Sequence, residues 1–272
     1  MRPGLAIKRL VLAFLSACLS AAVLADDVGA VNPADSLPGI ALIIDDLGNQ
    51  DNYGKQAVLL PGPVACSFLP HGPFTRSLAR LAHAQDKEVM LHLPMEAVHG
   101  NHPDNEQGEL TLDMTHHQFQ EVLDADLNSV PYVTGLNNHM GSLLTRHPGH
   151  MGWLMESISQ HGSLFFVDSR TTRETVARRL AIEYGIPSTD RNVFLDNEPD
   201  PESVRAQFRK LVDMARRKGT ALGIGHPHPG TLEVLQEELA GLEAQGIRLL
   251  PVASLIDLQN MSNGSWHVSS SR

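Results

Sequence analysis

The stretch Gly39-Ile40-Ala41-Leu42-Ile43-Ile44-Asp45-Asp46-Leu47-Gly48 decides how the chain is read. Five consecutive small or branched apolar residues after Gly39 describe a strand buried on both faces, as strands of parallel sheets are. The run stops on two adjacent carboxylates. In parallel α/β folds ligands sit at the carboxyl ends of the strands, so the pair is delivered to the rim where binding happens. Like charges held that close repel, and the pair calls for a cation or a shared proton.

Downstream the same rhythm repeats. Apolar strand-length runs are Val64–Leu69, Glu88–Leu93, Tyr132–Leu136, Leu164–Val167, Asn192–Leu195, Thr220–Ile224 and, marginally, Ile247–Val252. Helical spacing lies between them, at Gln50–Leu60, Phe74–Ala84, Thr115–Leu127, around Trp153–Ser159, Thr172–Tyr184, Pro201–Lys218 and Leu232–Ala244. The strongest helix carries Val204, Phe208, Leu211, Val212 and Ala215 as one stripe and stops at Gly219. Alternating strand and helix predicts a single α/β domain over residues 39–258, a distorted (β/α) barrel of seven to eight mostly parallel strands. A barrel is favoured over an open sheet because no Gly-rich phosphate loop follows the first strand.

The flanks read differently. Arg2, Lys8 and Arg9 precede an apolar run from Leu10 to Leu24, and Val23-Leu24-Ala25 has the form of a cleavage site. Residues 1–25 therefore read as a signal peptide that directs the chain to the periplasm or the outside, with no stable membrane insertion after cleavage. Leu15-Ser16-Ala17-Cys18 also has the form of a lipoprotein-processing box, but the apolar run continues past it, which favours cleavage after Ala25. Residues 26–38 read as a linker, and 259–272 as a disordered polar tail.

The formal net charge is −10 for the whole chain. Losing the three leader cations makes it −13. Without a clustered basic face this excludes a nucleic-acid partner. Cleavage would leave Cys66 as the single cysteine, which cannot form an internal disulfide; it sits in an apolar run and reads as a packing residue.

The strand ends carry the chemistry. After Asp45-Asp46 come His92-Leu93-Pro94-Met95-Glu96, then Asn137-Asn138-His139-Met140-Gly141-Ser142, then Asp168-Ser169-Arg170, then Gly225-His226-Pro227-His228. The second strand offers only His71, just beyond its end. An Asp and two His around one point suit a divalent metal, zinc above all, and leave a position open for water. A neighbouring carboxylate can then act as general base and a His on the opposite side as general acid. Glu96, four residues after His92, is open to three roles: ligand, orienter of His92, or surface residue, with orienter ranked first. The absence of an Arg/Lys cluster near these motifs counts against phosphoester chemistry.

Taken in order, these five motifs resemble the divergent polysaccharide deacetylase family, a distant branch of the metal-dependent polysaccharide deacetylases. The resemblance spans Gly39 to Leu258. It implies a metal-dependent hydrolase that removes N- or O-acetyl groups from a cell-envelope or extracellular polysaccharide. It implies Asp45 as base, Asp46 as ligand of a zinc-like ion and His226 as acid. The ordinary family's pair of His four residues apart is broken here, because Glu96 stands at the second position. Either Glu96 coordinates or His139 completes the set; His139 is preferred, with His92 and Asp46. Asn137, Asn138, Ser142, Asp168, Ser169, His228 and Glu96 are then expected to contact substrate or to support the ligands. The Arg and Pro of the ordinary third motif are missing from Asn137–Ser142. A catalytically weak or inactive glycan- and metal-binding protein is the alternative.

Overall fold

The structure is a computed structural model and describes residues 37–98 and 107–269. The expected leader, and the linker up to residue 36, lie outside the described residues. In chain order the elements are β1 (Gly39–Leu47), α1 (Asp51–Val58), β2 (Ala65–Phe68), α2 (Thr75–Ala84), β3 (Val89–Met95), α3 (His116–Ser129), β4 (Val133–Met140) and α4 (Pro148–Gln160). They continue with β5 (Phe165–Asp168), α5 (Ala177–Glu183), β6 (Ser188–Asp190), β7 (Val193–Phe194), α6 (Pro201–Lys218), β8 (Thr220–Gly225), α7 (Pro229–Glu238), β9 (Arg248–Leu249) and α8 (Val252–Ser269).

The strands are all parallel, in the order β6-β5-β4-β3-β2-β1-β8-β7, with β9 added beside the start of β1. The sheet is curled. β6 ends on one edge and β7 begins on the other, yet only Arg191 and Asn192 separate them. The Arg191 N–H donates to Asp168 O of β5 and the Asn192 N–H to Leu222 O of β8, both at 2.9 Å. Two residues can bridge both edges only if curvature brings those edges together, which is the distorted barrel expected.

The period-2 alternation of β-strands sorts the side chains. Ile40, Leu42 and Ile44 of β1 face outward into the core shared with the helices. Ala41 and Ile43 face inward, with Met90, Phe165, Val167, Leu222 and Ile224 from the other strands. Val252, Leu255 and Ile256 of α8 are fully buried in that same inner cluster and plug the barrel floor. Each such side chain contributes about 1.5–3 kcal/mol on burial. The Glu88 carboxylate caps this plug by accepting from Val252 N and Ala253 N. Gly223 is required by close packing: a Cβ there would lie 2.8 Å from Leu211 Cδ2 of α6. Cys66 is buried, and burial pushes its thiol up to about 12.

Three expectations change. β6 precedes the strand expected at Asn192–Leu195; its Ser-Thr-Asp sequence has no apolar run to announce it. The helix expected from Thr172 starts at Ala177, because Thr175 turns back to donate to Asp168 Oδ2 at 2.8 Å. The polar tail expected from residue 259 is instead the continuation of α8. Gln259 docks that helix, accepting from Thr189 and donating to Thr220. Among the described residues no helix is long and apolar enough to cross a membrane.

Candidate active site

The inward positions of the strands, followed to the carboxyl end, turn from apolar to polar. Ile43 gives way to Asp45, Ala65 to Ser67, Met90 to His92, Val167 to Ser169 and Ile224 to His226. This polar layer forms the floor of a pocket of about 400 Å³, within the ordinary range for small-molecule sites.

Adjacent strand residues point to opposite faces, so Asp45 and Asp46 would not normally share a site. Asp46 does so because its φ is +57°, in the left-handed region, where the β1–β2 register also shifts. Its carboxylate thereby turns toward His92 and His139. The His92 Nε2 to Asp46 Oδ1 distance is 3.2 Å, His139 Nδ1 to Asp46 Oδ1 is 3.1 Å, and His139 Nδ1 to His92 Nε2 is 3.0 Å.

Hydrogen bonding decides what those atoms carry. Asn137 is buried at the centre of the layer. Its Nδ2 donates to both oxygens of Asp45, at 2.9 and 3.0 Å, since a carboxylate needs a donor. Its Oδ1 therefore accepts from His92 Nδ1 at 3.0 Å and from Ser67 Oγ at 2.6 Å. With the His92 proton on Nδ1, Nε2 presents a lone pair to Asp46. Asp46 Oδ1 is a buried atom with no hydrogen-bond donor. In the His139 tautomer that carries its proton on Nε2, three acceptors converge here, the arrangement a cation requires. Their spacing is close to the about 3.3 Å separating ligands around tetrahedral zinc. Asp46, His92 and His139 thus fit a divalent metal. Burial alone would raise the Asp46 pKa, but His139 and His92 hold it well below the usual carboxylate range.

Asp45 lies beside this trio, with Oδ2 at 3.6 Å from His92 Nε2. Burial raises its pKa, against the opposing pull of His92, His226 and Asn137. Across the pocket, His226 Nε2 stands 3.7 Å from Asp46 Oδ2. Its Nδ1 donates to Asp196 Oδ1 at 3.0 Å, and its backbone N–H to Asp196 Oδ2 at 2.6 Å. Burial lowers the His226 pKa. Asp196, then Asp45 and Asp46, outweigh this and bring it up to about 9.

The remaining sequence candidates divide. Asn138 and Ser169 line the pocket, tied together by Ser169 N–H to Asn138 Oδ1 at 2.9 Å. Asp168 is buried beneath it and fixes the Arg170 and Thr175 turn. His228 is the residue before helix α7, with its ring 5.8 Å from that of His226, and lines an adjoining cleft. Glu96 does not orient His92: its carboxylate accepts from Leu112 N at 2.7 Å, and Asn137 holds His92 instead. Ser142 turns away and accepts from Val98 N. His71 pairs with buried Asp126 of α3 at 2.8 Å.

Two residues with clear roles escape the motif reading. Asp196 directly follows the expected strand Asn192–Leu195, so the strand-end rule itself points to it. Arg191 sits in the β6–β7 bridge and lines the pocket beside Arg170. The motifs themselves hold no Arg/Lys cluster, but curvature brings Arg191 to the rim beside Arg170.

The family model described as divergent polysaccharide deacetylase matches residues 42–256. An uncharacterized Escherichia coli K12 protein, YibQ, is 34% identical over 218 residues, covering 80% of this chain and 67% of that protein. An uncharacterized Haemophilus influenzae protein is 35% identical over 216 residues, covering 79% and 76%. The crystal structure of an uncharacterized Agrobacterium tumefaciens protein, ATU2773, superposes with a TM-score of 0.77 at 20% identity, covering 80% of this chain and 89% of that one. Peptidoglycan deacetylase PdaC from Bacillus subtilis gives 0.51 at 12% identity, covering 88% and 99%, a likeness of fold alone. By its motifs, its fold and the extent of the family match, the chain belongs to the divergent polysaccharide deacetylase family.

Proposed function

We propose that this protein is a metal-dependent hydrolase that removes N- or O-acetyl groups from a cell-envelope or extracellular polysaccharide, with zinc held by Asp46, His92 and His139. One observation carries the reading: a carboxylate and an imidazole flank the clustered Asp46, His92 and His139, and each is oriented by its own buried partner. A metal site alone needs one acid from β1; the second, Asp45, is then free for proton transfer.

A divalent cation at this site would polarise the acetyl carbonyl and make water a better nucleophile. The chain supplies the proton transfers. Asp45, gripped through both oxygens by Asn137 and raised by burial, takes the proton of the attacking water. His226 keeps Nδ1–H on Asp196 and turns Nε2 to the pocket. In the protonated form, favoured by Asp196, Nε2 delivers its proton to the departing amine as the C–N bond breaks. Acetate and the free amine are the products. Asn137 ties the two halves together, since one amide fixes the base and the tautomer of His92.

The test is acetate release from acetylated oligosaccharides by metal-stripped and zinc-restored protein. Activity should return with zinc. Asp45→Asn should slow it about 10²–10⁴-fold with metal content unchanged. His226→Ala should also spare the metal and slow amide substrates most. If zinc-loaded wild type releases no acetate from any acetylated glycan, the protein is a binder and Asp45 is a supporting carboxylate.

A further inference from the structure

Two cations stand at the pocket rim, and one of them, Arg191, also lies close enough to Asp45 and Asp168 to act on them electrostatically. Arg191 is held in place: its Nε–H donates to Ser169 O at 2.6 Å, one Nη2–H donates to Arg170 O at 3.0 Å, and its guanidinium lies 4.9 Å over the Phe194 ring. A guanidinium has five N–H donors, so three remain, and none finds a hydrogen-bond partner among the described residues. Arg170 is exposed at the same rim, with no ion-pair partner for its side chain among the described residues. Its backbone is held at φ +50°, a conformation rare for arginine. Asp168 Oδ1 accepts from its N–H and Arg191 donates to its carbonyl, so the turn that places it is fixed from both sides. Backbone strain retained at a pocket rim is a mark of function.

The charge balance gives these groups a direction. The protein as a whole is acidic, at −10. The pocket lining carries Asp45 and Asp46 against Arg170 and Arg191, while Asp168 and Asp196 lie behind it, each hydrogen-bonded there; a divalent cation held by Asp46 would offset the acids and leave the two guanidinium groups as the charges of the rim. Guanidinium groups at a pocket rim attract an anion even in an acidic protein. Guanidinium groups with unused planar N–H pairs recognise carboxylate or phosphate oxygens in two-point fashion.

Resting on the hydrolase reading for the site but not for the charge, we infer that the pocket selects an anionic glycan: a carboxylate or phosphate near the acetylated position is bound between Arg170 and Arg191. Arg191 is the fixed wall and Arg170 the adjustable one. The neighbouring apolar surfaces of Phe194 and Met140, both lining the same pocket, leave room for the uncharged part of the sugar.

The experiment measures binding and turnover separately on zinc-loaded protein. Three acetylated oligosaccharide series of matched length are used: neutral N-acetylhexosamine, the same alternating with a uronic acid, and the same bearing phosphate. Binding is read by calorimetry at low and at raised salt. One anionic series should bind about tenfold or more tighter than the neutral one, the effect of one charge-assisted contact. The preference should shrink as salt rises. Arg170→Gln, at an exposed position, should reduce the preference to about twofold or less. The stronger of the two anionic series identifies the group recognised. Equal binding of all three series by wild type, or an anion preference that survives intact in both Arg170→Gln and Arg191→Gln, would overturn the inference. The two readings fail separately. Acetate released equally well from neutral and anionic glycans keeps the hydrolase and removes the anion site. Anion-selective binding without acetate release keeps the anion site and removes the hydrolase.

Discussion

Replacing Asn137 by Asp tests the hub on which both the base and a metal ligand depend. The change preserves size and keeps Oδ1 as acceptor for His92 and Ser67. It turns the donor facing Asp45 into an oxygen 2.9–3.0 Å from a second carboxylate. At an effective dielectric of about 20, two charges at that separation repel by about 5–6 kcal/mol. Holding a proton between them costs less. From an unfolded carboxyl value of about 3.9, protonation at pH 7 costs about 4 kcal/mol, so the pair takes up a proton on folding. The sign follows from linkage. A folded state that binds more protons than the unfolded one loses stability as pH rises, starting near the unfolded pKa. Asn137→Asp should therefore match wild type near pH 4. It should then lose about 1.4 kcal/mol per pH unit and be about 4 kcal/mol less stable at pH 7. Denaturant unfolding of metal-stripped wild type and variant at pH 4.5, 6 and 7.5 reads this directly. A stability difference that is the same at all three pH values would refute the assignment of Asn137 Nδ2 to Asp45.

Other expectations concern the metal, a buried acid and the leader. His92→Ala and His139→Ala should each lower zinc content about tenfold or more, whereas Glu96→Ala should leave it unchanged, because its carboxylate is engaged with Leu112 N. Metal analysis of purified variants decides this, and loss of zinc in Glu96→Ala alone would restore the two-neighbour ligand pair. Asp126, buried against His71, has a pKa pushed up to about 8 by burial, so the wild type loses stability between about pH 4 and 8. Asp126→Asn should grow more stable relative to wild type across that window, by on the order of 1 kcal/mol per pH unit, and a pH-independent difference in unfolding midpoint would reject the shift. Protein recovered after export should begin at Asp26 by N-terminal sequencing; a lipid-bearing Cys18 start would make it membrane-anchored instead.

Much of the site was legible because a parallel barrel converts a simple sequence rule into geometry. Where an apolar run stops on polar residues, those at the inward phase reach the pocket, as Asp45, His92, Ser169 and His226 do, with Asn137 buried among them. The same rule gave no phase. Glu96 and Ser142 stand at strand ends too, yet their side chains serve backbone N–H groups of neighbouring loops. Asp46 defeats the alternation altogether, since it reaches the metal trio through a left-handed backbone that no residue type announces. Asp196 lay within the rule and was passed over.

By itself the sequence determined the βα order, the buried β1 strand, the acids, imidazoles and amides at the strand ends, and the family, because these rest on local periodicity and on short motifs. Only the tertiary structure decided that His139 and not Glu96 joins Asp46 and His92. Only there does Asn137 bond both Asp45 and His92, and Asp196 grip His226. The physical reason is that such pairings depend on register between strands far apart in the chain, such as His92 opposite Asn137, and on the curl that brings β6 and β7 together. Hydrogen-bond directions and charge proximity are set by that register, and Arg170 and Arg191 become one positive rim only once the sheet has curved.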